Sequence, residues 1–360
     1  MATLTINSSV ILSNINKLND FLSGRDIKWS LVTKILGGNR KVLEKLLNDP
    51  SIKKLHSVSD SRLSNLKVIK EINPGIITMY IKPPAPVHAA NVVKYSDISL
   101  NSSLKTIQSL SREAIKSGKT HRIIIMIELG ELREGVVRDK ILSFYENVFK
   151  LQNISVDGLG TNLGCMYGVE PTYDKLVQLS LYKQLIEEKF DKKLEIVSAG
   201  SSITLPLVMR SKIPKGVNHF RIGETVFFGV SIIDNKKFRN LSTNAFSFSA
   251  EVLEVEKKAM VPDGNITDAG IGQTAINPES SINSSSYKAI VDFGEIDVDV
   301  KNIQPKDKNV RFFGTTSDMT VYSLGDSTGE IKVGGQIQFK PNYMAVARLM
   351  NSKYVTKLVK

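Results

Sequence analysis

The sequence predicts an α/β protein: a (β/α)8 TIM-type barrel over residues 1–232, followed by a mostly β domain over residues 233–360. Three observations carry this expectation. Short apolar runs alternate with helical patterns eight times, from the run that ends at Lys34 to the run that ends at Ile222. Such alternation implies parallel strands joined by right-handed crossovers, and eight of them suffice to close a barrel. After about Val230 the helical period disappears until the last residues, and glycines and prolines separate short alternating runs instead.

Taken in order, Leu4 and Ile6 alternate with threonines as a short strand, and Ser8 or Ser9 caps a helix facing inward through Ile11, Ile15, Leu18 and Leu22. The first barrel strand covers residues 27–34, and Gly37-Gly38 turns the chain into a helix that buries Val42, Leu43, Leu46 and Leu47 and stops before Pro50. Further strands are expected at Leu55–Ser59, Ile76–Ile81, Ile98–Leu100, Arg122–Glu128, Val156–Gly160, Leu194–Ser198 and Val217–Ile222. Helical patterns fill most of the gaps, marked by Leu63, Leu66 and Ile69, then Val87, Asn91 and Val92, then Leu104, Ile107 and Leu110. Ile141, Phe144, Tyr145 and Val148 follow, then Leu176, Leu179, Leu181 and Leu185, and finally Leu205, Val208 and Met209. In the second domain, strands are expected within 246–252, 289–293, 330–333 and 336–339, while Tyr343–Met350 fits a strand or a short helix. The Gly/Ser/Asn-rich stretch between Pro262 and Ser286 suits a long loop or a functional lid.

Composition narrows the function. With 41% hydrophobic and 23% charged residues, the chain has the make-up of a globular protein, and no apolar run approaches the ~20 residues of a membrane span. The amino terminus lacks a basic region followed by an apolar core, and a lone cysteine, Cys165, leaves no internal disulfide; a cytoplasmic protein is expected. The net charge of +12 comes from lysines and arginines scattered singly or in pairs among acids, without interleaved aromatics. That describes a solvated basic surface rather than a nucleic-acid or membrane site. The four histidines, His56, His88, His121 and His219, lack metal-ligand spacing, and no dinucleotide or Walker fingerprint is present.

Chemistry-bearing residues fall at strand ends. Lys34 ends an apolar run, at the barrel end where active sites form. Desolvation by Val32 and Ile35 would lower its pKa towards that of a nucleophilic amine; the alternative is a lysine whose head stays in water. Ser198-Ala-Gly200-Ser201-Ser202 and Arg221-Ile-Gly223-Glu224 end the seventh and eighth strands, where barrel enzymes often hold a phosphate, although a serine-rich helix cap reads the same way. Asn162 either faces a bound ring or hydrogen-bonds its own turn. Arg133, among three carboxylates, is either a held donor or part of a surface ion cluster.

Together, Val32-Thr-Lys34-Ile-Leu-Gly-Gly, Leu132-Arg133-Glu-Gly, Gly160-Thr-Asn162-Leu-Gly-Cys165, Ser198-Ala-Gly-Ser-Ser202 and Phe220-Arg221-Ile-Gly-Glu224 resemble the fold-type III pyridoxal-phosphate enzymes. Within them the chain is most similar to the ornithine racemase branch of the alanine racemase superfamily. The resemblance extends to Gly314-Thr-Thr-Ser-Asp318 and Pro341-Asn-Tyr343. It implies pyridoxal 5′-phosphate as cofactor, with Lys34 joined to its aldehyde and serving as one catalytic base. Gly200, Ser201, Ser202, Gly223 and Tyr343 would hold the phosphate, Ser198 would belong to the cofactor-binding set, Arg221 would donate to the pyridine nitrogen, Arg133 would sit by the phenolic oxygen, and Asn162 against the ring. It further implies a homodimer with shared active sites and a free amino acid as substrate, with a basic one such as ornithine or lysine favoured.

Two departures bear on the second base. Related sequences usually carry a histidine after the Ser-Asp pair, where this chain has Met319, and residues 265–285 contain no tyrosine that a partner subunit could lend. Cys165, Asp318 and Tyr322 are the candidates that remain. The rival readings are another fold-type III reaction (an aldolase or decarboxylase), a non-catalytic pyridoxal-phosphate carrier, and a sugar-phosphate-binding barrel in which Lys34 has no special role.

Overall fold

The computed structural model describes residues 1–275 and 284–360. Residues 276–283, inside the stretch expected as a long loop or lid, lie outside the described residues. The chain forms two compact units: Ser9–Thr243, and a discontinuous unit of Met1–Ser8 with Asn244–Lys360.

The first strand is Thr3–Ile6 (β1). Eight more follow in the first unit: Lys28–Val32 (β2), Ser57–Asp60 (β3), Thr78–Tyr80 (β4), Ile98–Asn101 (β5), His121–Met126 (β6), Ile154–Gly160 (β7), Ile196–Ser198 (β8) and His219–Ile222 (β9). Strands β2 to β9 close a barrel in sequence order, every pair parallel, with β9 returning to β2. The eightfold alternation is thus a closed barrel. Six of the eight strands are shorter than the apolar runs suggested, while β5 and β7 each extend beyond theirs at one end.

Outside the barrel, helices bury the faces that the 3.6-residue period marks. Arg40–Leu47 buries Val42, Leu43, Leu46 and Leu47, and Leu104–Lys116 buries Ile107, Leu110 and Ala114. Inside, Met79, Ile98, Leu100, Ile124, Met126 and Ile196 form one apolar cluster. Close approach decides one position: a Cβ on Gly158 of β7 would lie 1.8 Å from the Ile196 carbonyl oxygen of β8. No helix among the described residues is long and apolar enough to cross a membrane.

The boundaries between units differ from those read off the sequence. Strand β1, assigned there to residues 1–232, pairs antiparallel with residues 246–249 and parallel with Thr356–Val359, because Leu4 and Ile6 supply buried side chains to that sheet. Residues 233–243 remain with the barrel unit. Buried Asn14 holds them there, its Nδ2 donating to the Val226 and Ser242 carbonyls at 2.9 Å and its Oδ1 accepting from the Ser242 N–H at 2.8 Å.

The second unit is antiparallel for the most part. The strand Phe246–Ala259 pairs with β1 and Gln336–Pro341 through its first half and with Ser285–Val291 through its second, the latter pairing shifting register between Val252 and Glu254. Phe248, Phe293, Phe339 and Tyr322 pack ring against ring in its core, with centroids 5.2–5.7 Å apart. Residues 330–333, expected as a strand, instead form a turn, because left-handed Gly329 and Gly334 bend the chain on either side. The hairpin of Arg311–Thr315 and Thr320–Gly325 was not anticipated. Tyr343–Asn351 is a helix, started by Asn342, whose Oδ1 accepts from the Ala345 N–H at 3.0 Å.

Candidate active site

At the C-terminal end of β2 the chain leaves the sheet at Thr33, whose N–H donates to the Ser59 carbonyl at 2.8 Å and whose hydroxyl donates to Asp60 Oδ2 at 3.0 Å. Lys34 then opens a single 3-10 turn, closed by Gly37 N–H to the Lys34 carbonyl at 3.2 Å. Gly37 and Gly38 both adopt positive φ, and a Cβ on Gly38 would meet Asn65 Oδ1 at 2.5 Å. Asn39 caps the next helix by accepting from the Val42 N–H. The amine is therefore carried on a backbone fixed from behind. The expected desolvation by Val32 and Ile35 is not observed: both are buried towards the core while the Lys34 side chain is exposed. Glu224 is an ionisable neighbour: its carboxyl is pushed up by burial while the charge of Lys34 pulls it down.

Asp60 holds Thr33 in place and is itself almost wholly buried. Its Oδ1 accepts from Arg62 N–H at 2.9 Å and Asn65 Nδ2 at 3.1 Å, yet burial still raises its pKa to about 6. An acid with a higher pKa folded than unfolded binds more protons folded, so stability falls as pH rises from about 4 to about 6. Asp60→Asn preserves acceptor Oδ1 and offers an N–H₂ to the Thr33 hydroxyl. Chemical denaturation at a series of pH values should show this part of the slope, worth up to roughly 1.4 kcal/mol per pH unit, disappear in the variant.

Arg221, on β9, is a buried donor hub in the barrel mouth. One terminal nitrogen, Nη1, donates to the Ser198 carbonyl at 3.1 Å and to the Ser198 hydroxyl. The other, Nη2, donates to the Thr161 carbonyl and to Asn162 Oδ1, both at 2.7 Å. Among the described residues, Nε–H has no protein acceptor. Burial lowers the Arg221 pKa to about 10, partly offset by the Glu134 carboxylate, so the group stays cationic near neutrality. Asn162 is bridged by Nδ2 to Glu134, which also makes a two-point ion pair with Arg133. Both alternatives left open for Asn162 and Arg133 are thereby narrowed: each belongs to one bonded chain running Arg133–Glu134–Asn162–Arg221. Cys165 lies beside the Arg133 guanidinium and is exposed.

A second carboxylate shapes this rim. Buried Glu131 accepts backbone N–H groups from Cys165 (3.1 Å), Met166 (2.7 Å), Tyr167 (3.1 Å) and Val169 (2.9 Å), tying the loop after β7 to the loop after β6. Those bonds hold its carboxyl below the usual range despite burial. The backbone of Cys165 is thus fixed from beneath while its thiol faces outward.

At the ends of β8 and β9, Ser202 Oγ accepts from the N–H groups of Gly223 and Thr225 at 3.3 Å and keeps its own hydrogen to donate. Gly200, at φ +134°, has no room for a Cβ, which would fall 2.3 Å from Thr204 Oγ1. That hydroxyl is buried without a partner among the described residues. Gly223 brings the backbone against β2, where a Cβ would sit 3.0 Å from the Val32 carbonyl oxygen. Ser201 is half-buried between them. Ser198 differs from the expectation that it touches a cofactor: fully buried, its hydroxyl is spent between Arg221 and His219.

In the second unit, Asp318 lies in the exposed turn 316–319, its Oδ1 accepting from the Ser317 hydroxyl at 3.1 Å. Tyr343 is half-buried at the first turn of its helix. Tyr322 is a core residue whose phenol is pushed up by burial, which makes it unsuited to exchanging protons with a substrate. The sequence reading missed Glu131, Glu134, Thr161 and the pairing of His219 with Ser198. The signal for the last was present, since His219 and Arg221 lie two apart on a strand and so share a face.

A family model described as the alanine racemase N-terminal domain matches residues 6–231. The chain is 28% identical over 355 residues to an ornithine racemase of Acetoanaerobium sticklandii, covering 98% of each. It is 31% identical over 358 residues to a lysine racemase of Thermotoga maritima, covering 99% of this chain and 97% of that one. Among solved structures, an alanine racemase of Clostridium difficile 630 superposes with a TM-score of 0.74 at 14% identity, over 100% of this chain and 96% of that one.

Proposed function

The chain belongs to the family of the alanine racemase N-terminal domain, and on that premise we propose that it is a pyridoxal-phosphate-dependent racemase of a free basic amino acid, ornithine or lysine. The observation that carries the reading is similarity over almost the whole length to relatives bearing those two names. The residues suit the cofactor. Lys34 supplies an exposed primary amine, Arg221 an Nε–H donor without a protein acceptor, and Ser202 and Thr204 hydroxyls beside a glycine turn. Pyridoxal phosphate, when bound, supplies an electron sink that acidifies the substrate Cα–H.

In this reading Lys34 holds the cofactor and moves the Cα proton on its own face. Gly200, Ser201, Ser202, Gly223 and Tyr343 grip the phosphate, Arg133 stands by the phenolic oxygen and Asn162 lies against the ring. Arg221 lends Nε–H to the ring nitrogen without surrendering its proton. Its guanidinium would keep its proton at any ordinary pH and so act there as a donor only. Cys165, held on the rim by Glu131, and Asp318 are the candidates for proton exchange on the opposite face. A cytoplasmic homodimer with shared active sites completes the proposal.

Incubation with a panel of L-amino acids in deuterated water, followed by chiral analysis, tests it. D-Ornithine or D-lysine carrying deuterium at Cα is the expected product. Visible cofactor absorption with no D-enantiomer from any substrate would leave only a carrier, and exchange without inversion would leave only one working base; either result overturns the racemase.

A further inference from the structure

A line of buried polar groups runs from Arg221 across the barrel interior, and its atoms permit one direction of hydrogen bonding. Ser198 Oγ touches Arg221 Nη1 on one side and His219 Nδ1, at 2.7 Å, on the other. His219 Nε2 lies 2.8 Å from Ser30 Oγ, which lies 2.6 Å from Ser57 Oγ. Ser30, Ser198 and His219 are fully buried, and the sheet register explains the gathering: Ser30 of β2 stands opposite Ser57 of β3 and Arg221 of β9, and Ser198 of β8 opposite His219.

A guanidinium only donates, so Ser198 Oγ accepts from Arg221. The hydroxyl hydrogen of Ser198 then has a single acceptor within reach, Nδ1 of His219. Were Nδ1 protonated, that buried hydrogen would have nowhere to go. Nδ1 is therefore bare, Nε2–H donates to Ser30, and Ser30 donates to Ser57. The surroundings agree: burial first, then His56, 4.7 Å away between ring centroids, Arg221 and Lys28 all disfavour a positive charge on the ring.

We propose that His219 is a positioning residue for the racemase site, its neutral Nε2–H tautomer aligning Ser198 as an acceptor that fixes the plane of the Arg221 guanidinium and so the aim of Nε–H. This inference rests on the cofactor reading above for its consequence, but not for its chemistry. Asparagine at 219 places an amide oxygen where Nδ1 stands and keeps the bond from Ser198; glutamine places its amide where Nε2 stands and loses it.

The test has two arms. With only four histidines in the chain, the ¹⁵N spectrum of histidine-labelled, cofactor-free protein is simple, and His219 is assigned by difference with the H219N protein. The expected result is a His219 with bare Nδ1 and protonated Nε2; an Nδ1–H tautomer or an imidazolium overturns the proposal whatever cofactor the protein takes. In cofactor-loaded protein, H219Q should lose about tenfold or more in kcat relative to H219N, as expected when a positioned group is slightly displaced. KM should change little, and the visible absorption should shift in H219Q alone. Equal kcat and equal spectra for the two variants overturn it. A protein that takes up no pyridoxal phosphate would sink the function proposed above while leaving the tautomer result to stand.

Discussion

Replacing Lys34 by alanine abolishes both the visible absorption of the cofactor-loaded protein and the interconversion of enantiomers. On the proposed function the amine is the attachment point and one of the two proton carriers, so its loss would remove two functions at once, and activity should fall by roughly three orders of magnitude or more. The fold should be untouched. The 3-10 turn at 34–36 is closed by backbone atoms, Thr33 is anchored to Asp60, and an exposed side chain contributes little to stability, within about 0.5 kcal/mol. Absorption spectra, chiral assay and thermal melting on the same preparation separate these effects. A Lys34→Ala protein that keeps its visible band, or that still racemises at an appreciable rate, would contradict the assignment of the amine.

Replacing Arg221 by methionine damages fold and chemistry together. The Ser198 hydroxyl and carbonyl, the Thr161 carbonyl and Asn162 Oδ1 all lose a charged donor in a dry interior, and Glu134 loses a nearby opposite charge. Breaking one side of such a buried network costs on the order of 3–5 kcal/mol. Activity should also fall, because the donor proposed for the ring nitrogen is gone. Arg221→Lys separates the two: a compact ammonium restores the charge and part of the stability, but lacks the planar fork that reaches four acceptors. The expected order of melting temperature is wild type, Lys, Met, with activity low in both variants. A methionine variant as stable as wild type would mean that the guanidinium is not the hub of this rim.

Much of this was legible in the sequence because the barrel writes its period plainly. Most strands of β2 to β9 fall in short apolar runs, most helices repeat near 3.6 residues, and the turns singled out follow the strands in order. Position alone puts Lys34, Asn162 and Arg221 at or just beyond strand ends, whereas the roles proposed for them come from the resemblance. What escaped notice depended on contacts between strands far apart in the chain. Glu131 looks like one of several acids in an exposed loop; only the fold of the following loop brings four N–H groups onto its carboxylate. Ser198 looked like part of an anion cradle, but its register opposite His219 turns it towards the barrel axis. The error over Glu330–Val333 has a local origin: alternation over four residues is too short to outweigh glycines at positive φ on both sides. The membership of β1 was hidden for another reason, since nothing in Thr3–Ile6 tells which of two sheets will receive it.

That membership has a consequence for how the protein is made. A ribosome adding roughly 5–20 residues per second delivers β1 before the barrel strands, yet one neighbour of β1, Thr356–Val359, is made after every other strand named above. Every strand of the barrel is available once Thr243 has been synthesised and residues 246–249 can cover one edge of β1 soon afterwards, whereas the other edge stays unpaired for about a hundred residues more.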